Sequence, residues 1–117
     1  MKQVIVGLIK GRHVIPVDEY IFDKAIDNVH DYKEISEHIE EFLVNRVGIG
    51  RTYGVGVNQD DYTDVQLFCG KANLVVYVTG LTPVTVELVA ACMRNGIHLT
   101  LMNYDTASGN YIPQPVL

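Results

Sequence analysis

Short apolar runs and amphipathic stretches alternate along this chain, which is the pattern of strands and helices. Residues 3–9 are β-branched and almost wholly apolar, and they predict a strand covered on both faces. Residues 74–78 and 97–102 are two further apolar runs of strand length. Residues 110–113 predict a short antiparallel edge strand, in which proline discourages pairing with another chain.

Two segments carry the three- and four-residue spacing of an amphipathic helix. In residues 31–46, Asp31 followed by Glu34 predicts a capping box, and Gly48 or Gly50 predicts the end of the helix. In the second segment, Thr82 is the predicted N-cap, Pro83 takes the first helical position and Gly96 ends the helix. The apolar face of the first helix consists of Tyr32, Ile35, Ile39, Phe42 and Leu43.

The order of these elements predicts the fold class. Residues 74–102 form a strand–helix–strand unit, which connects parallel strands by a right-handed crossover. With the first strand and the first helix, this predicts a single α/β domain over residues 1–117. Its Rossmann-like architecture has a mostly parallel central sheet flanked by helices and an antiparallel strand at the C-terminal edge. Residues 14–28 read as a long connection with room for one short element, and residues 51–69 as a hairpin or a single buried strand with a surface excursion.

Composition and charge narrow the class of protein. The chain has 117 residues, 48% of them apolar, and a formal net charge of −5. This acidic balance argues against a broad surface for long nucleic acid but leaves room for a small anion site. No run reaches the roughly 18 apolar residues of a membrane span. The N-terminal apolar run lacks a cleavage site and reads as a strand, so we expect a cytoplasmic protein without a membrane partner.

The cysteines and histidines give no sign of a metal or cofactor site. Cys69 and Cys92 lack the spacing of zinc ligands and are expected to be reduced, buried thiols. His30, His38 and His98 are scattered along the chain. No phosphate-binding P-loop, dinucleotide fingerprint or nucleophile elbow is present, and we expect neither a metal nor a cofactor.

Ligands of open parallel sheets bind beyond the carboxyl ends of the strands. Three segments follow predicted strands at that edge: residues 10–13, 79–82 and 103–105. The first contains the only basic cluster of the chain, Lys10, Arg12 and His13. The second combines the backbone N–H groups of a helix start, which attract anions, with three threonine hydroxyls. The third contributes Tyr104, which can stack or form a hydrogen bond. A phosphate-bearing ligand suits the first two segments, although helix capping and a polar surface loop explain the same residues without any ligand.

Three pieces of the sequence resemble a known family. Gly11-Arg12-His13 follows the first strand, Thr79-Gly80-Leu81-Thr82-Pro83 follows a late strand, and a helix then leads to Ile97-His98-Leu99-Thr100-Leu101. This outline is similar to that of small CRISPR-associated ring nucleases, which are single-domain relatives of the CARF fold. The resemblance covers the first dozen residues and residues 74–102.

The resemblance implies a homodimer that binds a cyclic oligoadenylate across its two-fold axis and takes part in antiviral defence. It implies cleavage without a metal, in which a ribose 2′-hydroxyl attacks its own phosphate and leaves a 2′,3′-cyclic phosphate. Arg12 would clamp the phosphate, with Lys10 as a helper and His13 as general acid or base. The implied ligand-binding residues are Gly11, Thr79, Gly80, Leu81, Thr82, Thr85 and Tyr104.

Two other readings stay open from the residues alone. One is a binding module that senses or sequesters a nucleotide without cleaving it. The other is a structural or interaction protein, for example of a mobile element, whose fold carries no small-molecule site.

Overall fold

The computed structural model describes residues 2–11, 14–48 and 72–117, and within them five strands form one sheet in the order β2-β1-β3-β4-β5. The strands are β1 (Lys2–Ile9), β2 (Tyr20–Phe22), β3 (Ala72–Tyr77), β4 (His98–Asp105) and β5 (Asn110–Pro115). β1 to β4 run parallel, and β5 pairs antiparallel with β4. This confirms the predicted α/β class, the mostly parallel sheet and the antiparallel C-terminal edge strand.

The first helix begins and ends where local sequence signals predicted. α1 (Tyr32–Phe42) continues into a single π-helical turn, Leu43–Val47. The Asp31 carboxylate accepts a hydrogen bond from the backbone N–H of Glu34, at 3.2 Å, and so caps the first turn. Gly48 ends the segment with a φ of 76°, a left-handed conformation that favours glycine. Of the two glycines predicted to end the helix, Gly48 does so.

The second helix, α2 (Thr82–Arg94), differs from prediction at its start. Leu81 is the N-cap residue, in an extended conformation, so Thr82 is the first helical residue and Pro83 the second. The predicted N-cap role of Thr82 is therefore wrong. The Leu81 carbonyl accepts hydrogen bonds from both the backbone N–H and the hydroxyl of Thr85, each at 3.1 Å, and this fixes the start one residue earlier. The predicted end is confirmed, since Gly96 follows the C-cap with a φ of 64°.

The hydrophobic core lies between one face of the sheet and the two helices. Alternate residues of the central strands are buried there, and α1 and α2 pack against each other. The Arg94 guanidinium of α2 donates to the Glu40 carboxylate of α1 at 2.9 Å. The buried core side chains of the sheet include Val4, Val6, Leu8, Leu74, Val76, Leu99 and Leu101; those of the helices include Ile35, Ile39, Leu43, Val84, Leu88, Ala91 and Cys92.

The prediction that β1 is covered on both faces is wrong for its first half. Gln3 is exposed and Ile5 is 50% exposed, because neither described helix covers that side of the sheet. Gly7 and Ile9 are buried. The side chains of Ile15, from the chain between β1 and β2, and of Tyr20, the first residue of β2, lie over Gly7 and cover this part of the open face.

The structure corrects one further expectation about connections and confirms another. β4 extends to Asp105, so the predicted loop at 103–105 is strand, held by pairing of Tyr104 with Tyr111 and of Asp105 with Asn110. The connection at 14–28 does contain one short element, β2, which pairs with β1. The alternatives for 51–69 fall outside the described residues. None of the described helices is long and apolar enough to cross a bilayer.

Candidate functional site

The carboxyl ends of β1 and β3 lie side by side. These neighbouring parallel strands pair up to Gly7 and Tyr77, and Lys10 and Gly80 each come three residues later. The turns that follow the two strands therefore leave the sheet at the same level. Lys10 is exposed, and its backbone N–H donates to the Phe22 carbonyl of β2 at 2.9 Å. The first two predicted loops are thus brought to one edge of the sheet.

The first of these loops is described only in part. Lys10 and Gly11 are exposed, and Gly11 has a φ of 93°. Arg12 and His13 lie outside the described residues, so their positions relative to Lys10 stay predictions.

The second loop presents backbone groups and one exposed hydroxyl. Gly80 is exposed with a φ of 93°, and the N-cap Leu81 makes no side-chain hydrogen bond to the helix start. The backbone N–H groups of Thr82 and Val84 lie in the first turn of α2, where the helix offers them no partner; Pro83 has none to offer. Such a helix start, with the dipole behind it, favours an anion.

The threonines of the second loop differ in what they can reach. Thr79 is only 1% exposed, so its side chain offers no surface to a ligand. Thr82 is exposed, and the hydroxyl of Thr85 donates to the Leu81 carbonyl. Of the three hydroxyls predicted at this turn, that of Thr82 is the most accessible.

Tyr104 belongs to a cluster of aromatic rings that sequence reasoning missed. Its ring centroid lies 5.3 Å from that of Tyr111 on β5, with an interplanar angle of 65°. Tyr111 in turn lies 4.8 Å from Tyr77 at the end of β3, at 77°. Burial, followed by the neighbouring phenols of Tyr104, Tyr77 and Tyr20, raises the pKa of Tyr111 above its ordinary value. Tyr20, Tyr77 and Tyr104 are far apart in sequence, so strand pairing is what brings them together with Tyr111.

The turn after Tyr104 is closed by Asp105. The Asp105 carboxylate accepts a hydrogen bond from the backbone N–H of Ser108 at 3.2 Å, and its carbonyl accepts one from Gly109 at 2.8 Å. Hydrogen bonding, first from the Ser108 side chain, lowers the pKa of Asp105. These two hydrogen bonds close the turn between β4 and β5.

An apolar groove of about 680 Å³ runs along the outer side of α2 from the same turn. Gly80 and Thr82 line one end, and Met93 and Arg94 line the other. Its most exposed apolar side chains are Val86, at 57%, and Met93, at 64%. The groove thus joins the candidate anion site to an exposed apolar helix face.

The described histidines hold local structure. His38 donates from Nε2 to the Ile21 carbonyl at 2.6 Å and stacks on Phe22, with ring centroids 4.2 Å apart. His98 donates from Nδ1 to the Leu117 carbonyl at 3.0 Å. Across the part of the chain that the structure describes, no three His, Cys, Asp or Glu side chains are grouped to hold a metal ion.

Comparison with models of protein families, with curated proteins and with solved structures found no match for this chain. The resemblance to ring nucleases therefore rests only on the residues quoted in the sequence analysis. A proposal about function has to be argued from the geometry of this edge of the sheet.

Proposed function

We propose that this protein binds a cyclic oligoadenylate at the carboxyl edge of its sheet and cleaves it. The observation that carries the proposal is the adjacency of the β1 and β3 ends, where Lys10 and Gly80 leave the sheet at the same level. The Lys10 side chain and the start of α2 then lie on either side of one possible ligand position, and both attract phosphate. Tyr104 lies at the neighbouring strand end.

The proposed reaction needs positioning and charge stabilisation. The ribose 2′-oxygen attacks the adjacent phosphorus in line, a 2′-oxygen–phosphorus bond forms, and the bond from phosphorus to the 5′-oxygen breaks. The products carry a 2′,3′-cyclic phosphate and a 5′-hydroxyl. In this proposal Arg12 and Lys10 neutralise charge that develops on the phosphate, and the N–H groups around Gly80 to Thr82 hold its oxygens. His13, whose ordinary pKa is near neutral, takes the 2′ proton or supplies one to the leaving oxygen.

The proposal includes a cytoplasmic homodimer. A ring with two-fold symmetry suits an isologous dimer, in which each subunit presents the same turn to an equivalent phosphate. The groove on α2 supports this arrangement, because it begins at Gly80 and Thr82 and exposes Val86 and Met93. A second copy against this face would bring the two turns together. Sedimentation of the wild type and of Val86→Glu tests it: the variant should be a monomer that binds the ring weakly, and a wild-type monomer would contradict it.

Activity is tested with purified protein and cyclic tetra-adenylate or cyclic hexa-adenylate, in buffer containing a chelator. We expect linear products ending in a 2′,3′-cyclic phosphate, and their loss in Arg12→Ala and His13→Ala. Lys33→Ala is the matched control, because Lys33 is an exposed lysine on α1 that pairs only loosely with Glu37, at 3.8 Å.

Each other outcome selects a different function. A ring that is bound and recovered intact would make the protein a sponge or sensor, and Arg12→Ala would then lose affinity. If the wild type neither binds nor cuts any ring, the protein has a structural or interaction role instead.

A further inference from the structure

The four clustered tyrosines project from the same face of the sheet. Paired residues of neighbouring strands point to the same side, and the ladder links Tyr20 to Gly7, Gly7 to Tyr77 and Tyr104 to Tyr111. Tyr104 joins this series because it lies two residues beyond Met102, the partner of Tyr77. This is the face opposite the two described helices, at the carboxyl ends of the strands.

Gly7 lets the Tyr20 ring lie over β1, the strand next to Tyr77. Gly7 is the one position of this series on β1, and a Cβ there would lie 2.6 Å from two carbons of the Tyr20 ring. The Tyr20 ring therefore occupies the space that a β1 side chain would fill. Burial first, and then the nearby phenols of Tyr104, Tyr77 and Tyr20, raises the pKa of Tyr111, which agrees with this placement of the rings.

We propose that Tyr104 and Tyr111, backed by Tyr77, form a stacking platform for a purine base of the bound ligand. This rests on the proposed function, whose phosphate site begins at Gly80. Gly80 lies three positions after Tyr77, so their Cα atoms are at most about 11 Å apart. In this proposal, a base on the platform and its phosphate at the turn belong to one nucleotide.

Two features favour a base over a second protein chain on this platform. Tyr104 is 54% exposed and its ring meets the Tyr111 ring at 65°, so Tyr104 has surface open to a ligand beside a second aromatic ring. The platform also lies beyond the carboxyl ends of parallel strands, where ligands of such sheets bind. Aromatic rings on a sheet are a recurrent way of holding unpaired bases, and stacking adds affinity for an anionic ligand without requiring positive charge on an acidic protein.

The test measures binding of cyclic tetra-adenylate and cyclic hexa-adenylate to the wild type, Tyr104→Ala, Tyr104→Phe and Tyr32→Ala. Tyr32 is the matched control, because it is a 49% exposed tyrosine on α1, outside the cluster. The chain has seven tyrosines and no tryptophan, so quenching of tyrosine emission reports stacking directly. We expect Tyr104→Ala to weaken binding by about 10- to 100-fold and to lose part of the quenching. Tyr104→Phe, which keeps the ring, and Tyr32→Ala should bind as the wild type does. Linear oligouridylate should bind more weakly than linear oligoadenylate of the same length.

The outcomes separate this inference from the proposed function. If the wild type binds a ring and Tyr104→Ala binds it equally well, the platform is refuted and the function stands. Equal losses in Tyr104→Phe and Tyr104→Ala would also refute it, because the hydroxyl and not the ring face would then be the contact. If Tyr104→Ala loses affinity only in proportion to a loss of dimer in sedimentation, the tyrosine face is an interface between copies. A wild type that binds no adenylate overturns both proposals.

Discussion

Gly7→Ala tests the packing that underlies the tyrosine cluster. Gly7 has no positive φ, so alanine is compatible with the backbone there. The added Cβ would lie 2.6 Å from Ile15 Cδ1 and from two ring carbons of Tyr20. Carbon atoms in favourable contact are about 3.5–4.0 Å apart, so these neighbours must move by about 1 Å.

Two opposing effects decide the sign of the change. Replacing glycine by alanine at a compatible position stabilises a protein by about 0.4–1 kcal/mol, because the unfolded chain loses freedom. Overpacking a filled site costs about 1–3 kcal/mol. Because Tyr20 belongs to the short strand β2 and Ile15 also has to shift, we expect overpacking to win and the free energy of unfolding to fall by about 1 to 2 kcal/mol.

Urea unfolding followed by circular dichroism measures this change in a double-mutant cycle. The wild type, Gly7→Ala, Tyr20→Ala and the double variant are compared. Gly7→Ala should cost less when the Tyr20 ring is absent. A Gly7→Ala protein as stable as the wild type, or more stable, would refute the close packing of the Tyr20 ring and Ile15 against Gly7. An equal cost in both backgrounds would exclude Tyr20 as the obstacle and leave Ile15.

Three other changes probe single elements. Asp31→Ala removes the cap of α1 and should lower the free energy of unfolding by about 1 kcal/mol, measured in urea, whereas Asp31→Asn should keep most of this stability. Equal losses in the two variants would mean that the negative charge, and not the capping hydrogen bond, stabilises the helix. In Gly80→Ala the new Cβ would have no atom within 4 Å, but alanine would have to adopt a φ of 93°. Backbone strain alone should therefore lower the free energy of unfolding by about 1–2 kcal/mol, which the same urea measurement detects. Burial, and secondarily Glu40, raises the pKa of Cys92 from 9.0 to about 12. The folded state therefore keeps the Cys92 thiol protonated up to a higher pH than the unfolded state does. The stability that this difference contributes is fully present below pH 9 and is lost between pH 9 and 12. Unfolding measured across that range should show a shallower decline in Cys92→Ala, and identical slopes would contradict the assignment.

Much of the fold could be predicted because its signals are local. Asp31 caps a helix through an N–H three residues away, and Gly48 and Gly96 end helices by adopting left-handed conformations. The apolar runs of β1, β3 and β4 correspond to buried strand positions in a parallel sheet. Each of these features depends on a few neighbouring residues, so the order of strands and helices followed from the chain itself.

The error about the start of α2 is local, whereas the errors about β4 and β1 depend on other elements of the sheet. Leu81, and not Thr82, caps α2, because the Thr85 hydroxyl and N–H both bond to its carbonyl. β4 extends through Tyr104 because β5 pairs with it, and residues 103–105 taken alone resemble a loop. β1 has one open side because the two described helices pack on the same face of the sheet.

The candidate site also combines features that are local in sequence with features that depend on the tertiary structure. The chain alone identified Lys10 at a strand end and the helix start after Gly80, since each is a local feature with its own chemistry. Only the tertiary structure placed Lys10 level with Gly80 and gathered Tyr20, Tyr77, Tyr104 and Tyr111 on one face. Strand order and register decide which distant side chains meet, and these are set by burying one face of every strand together. That is a property of the whole sheet and not of any segment of the sequence.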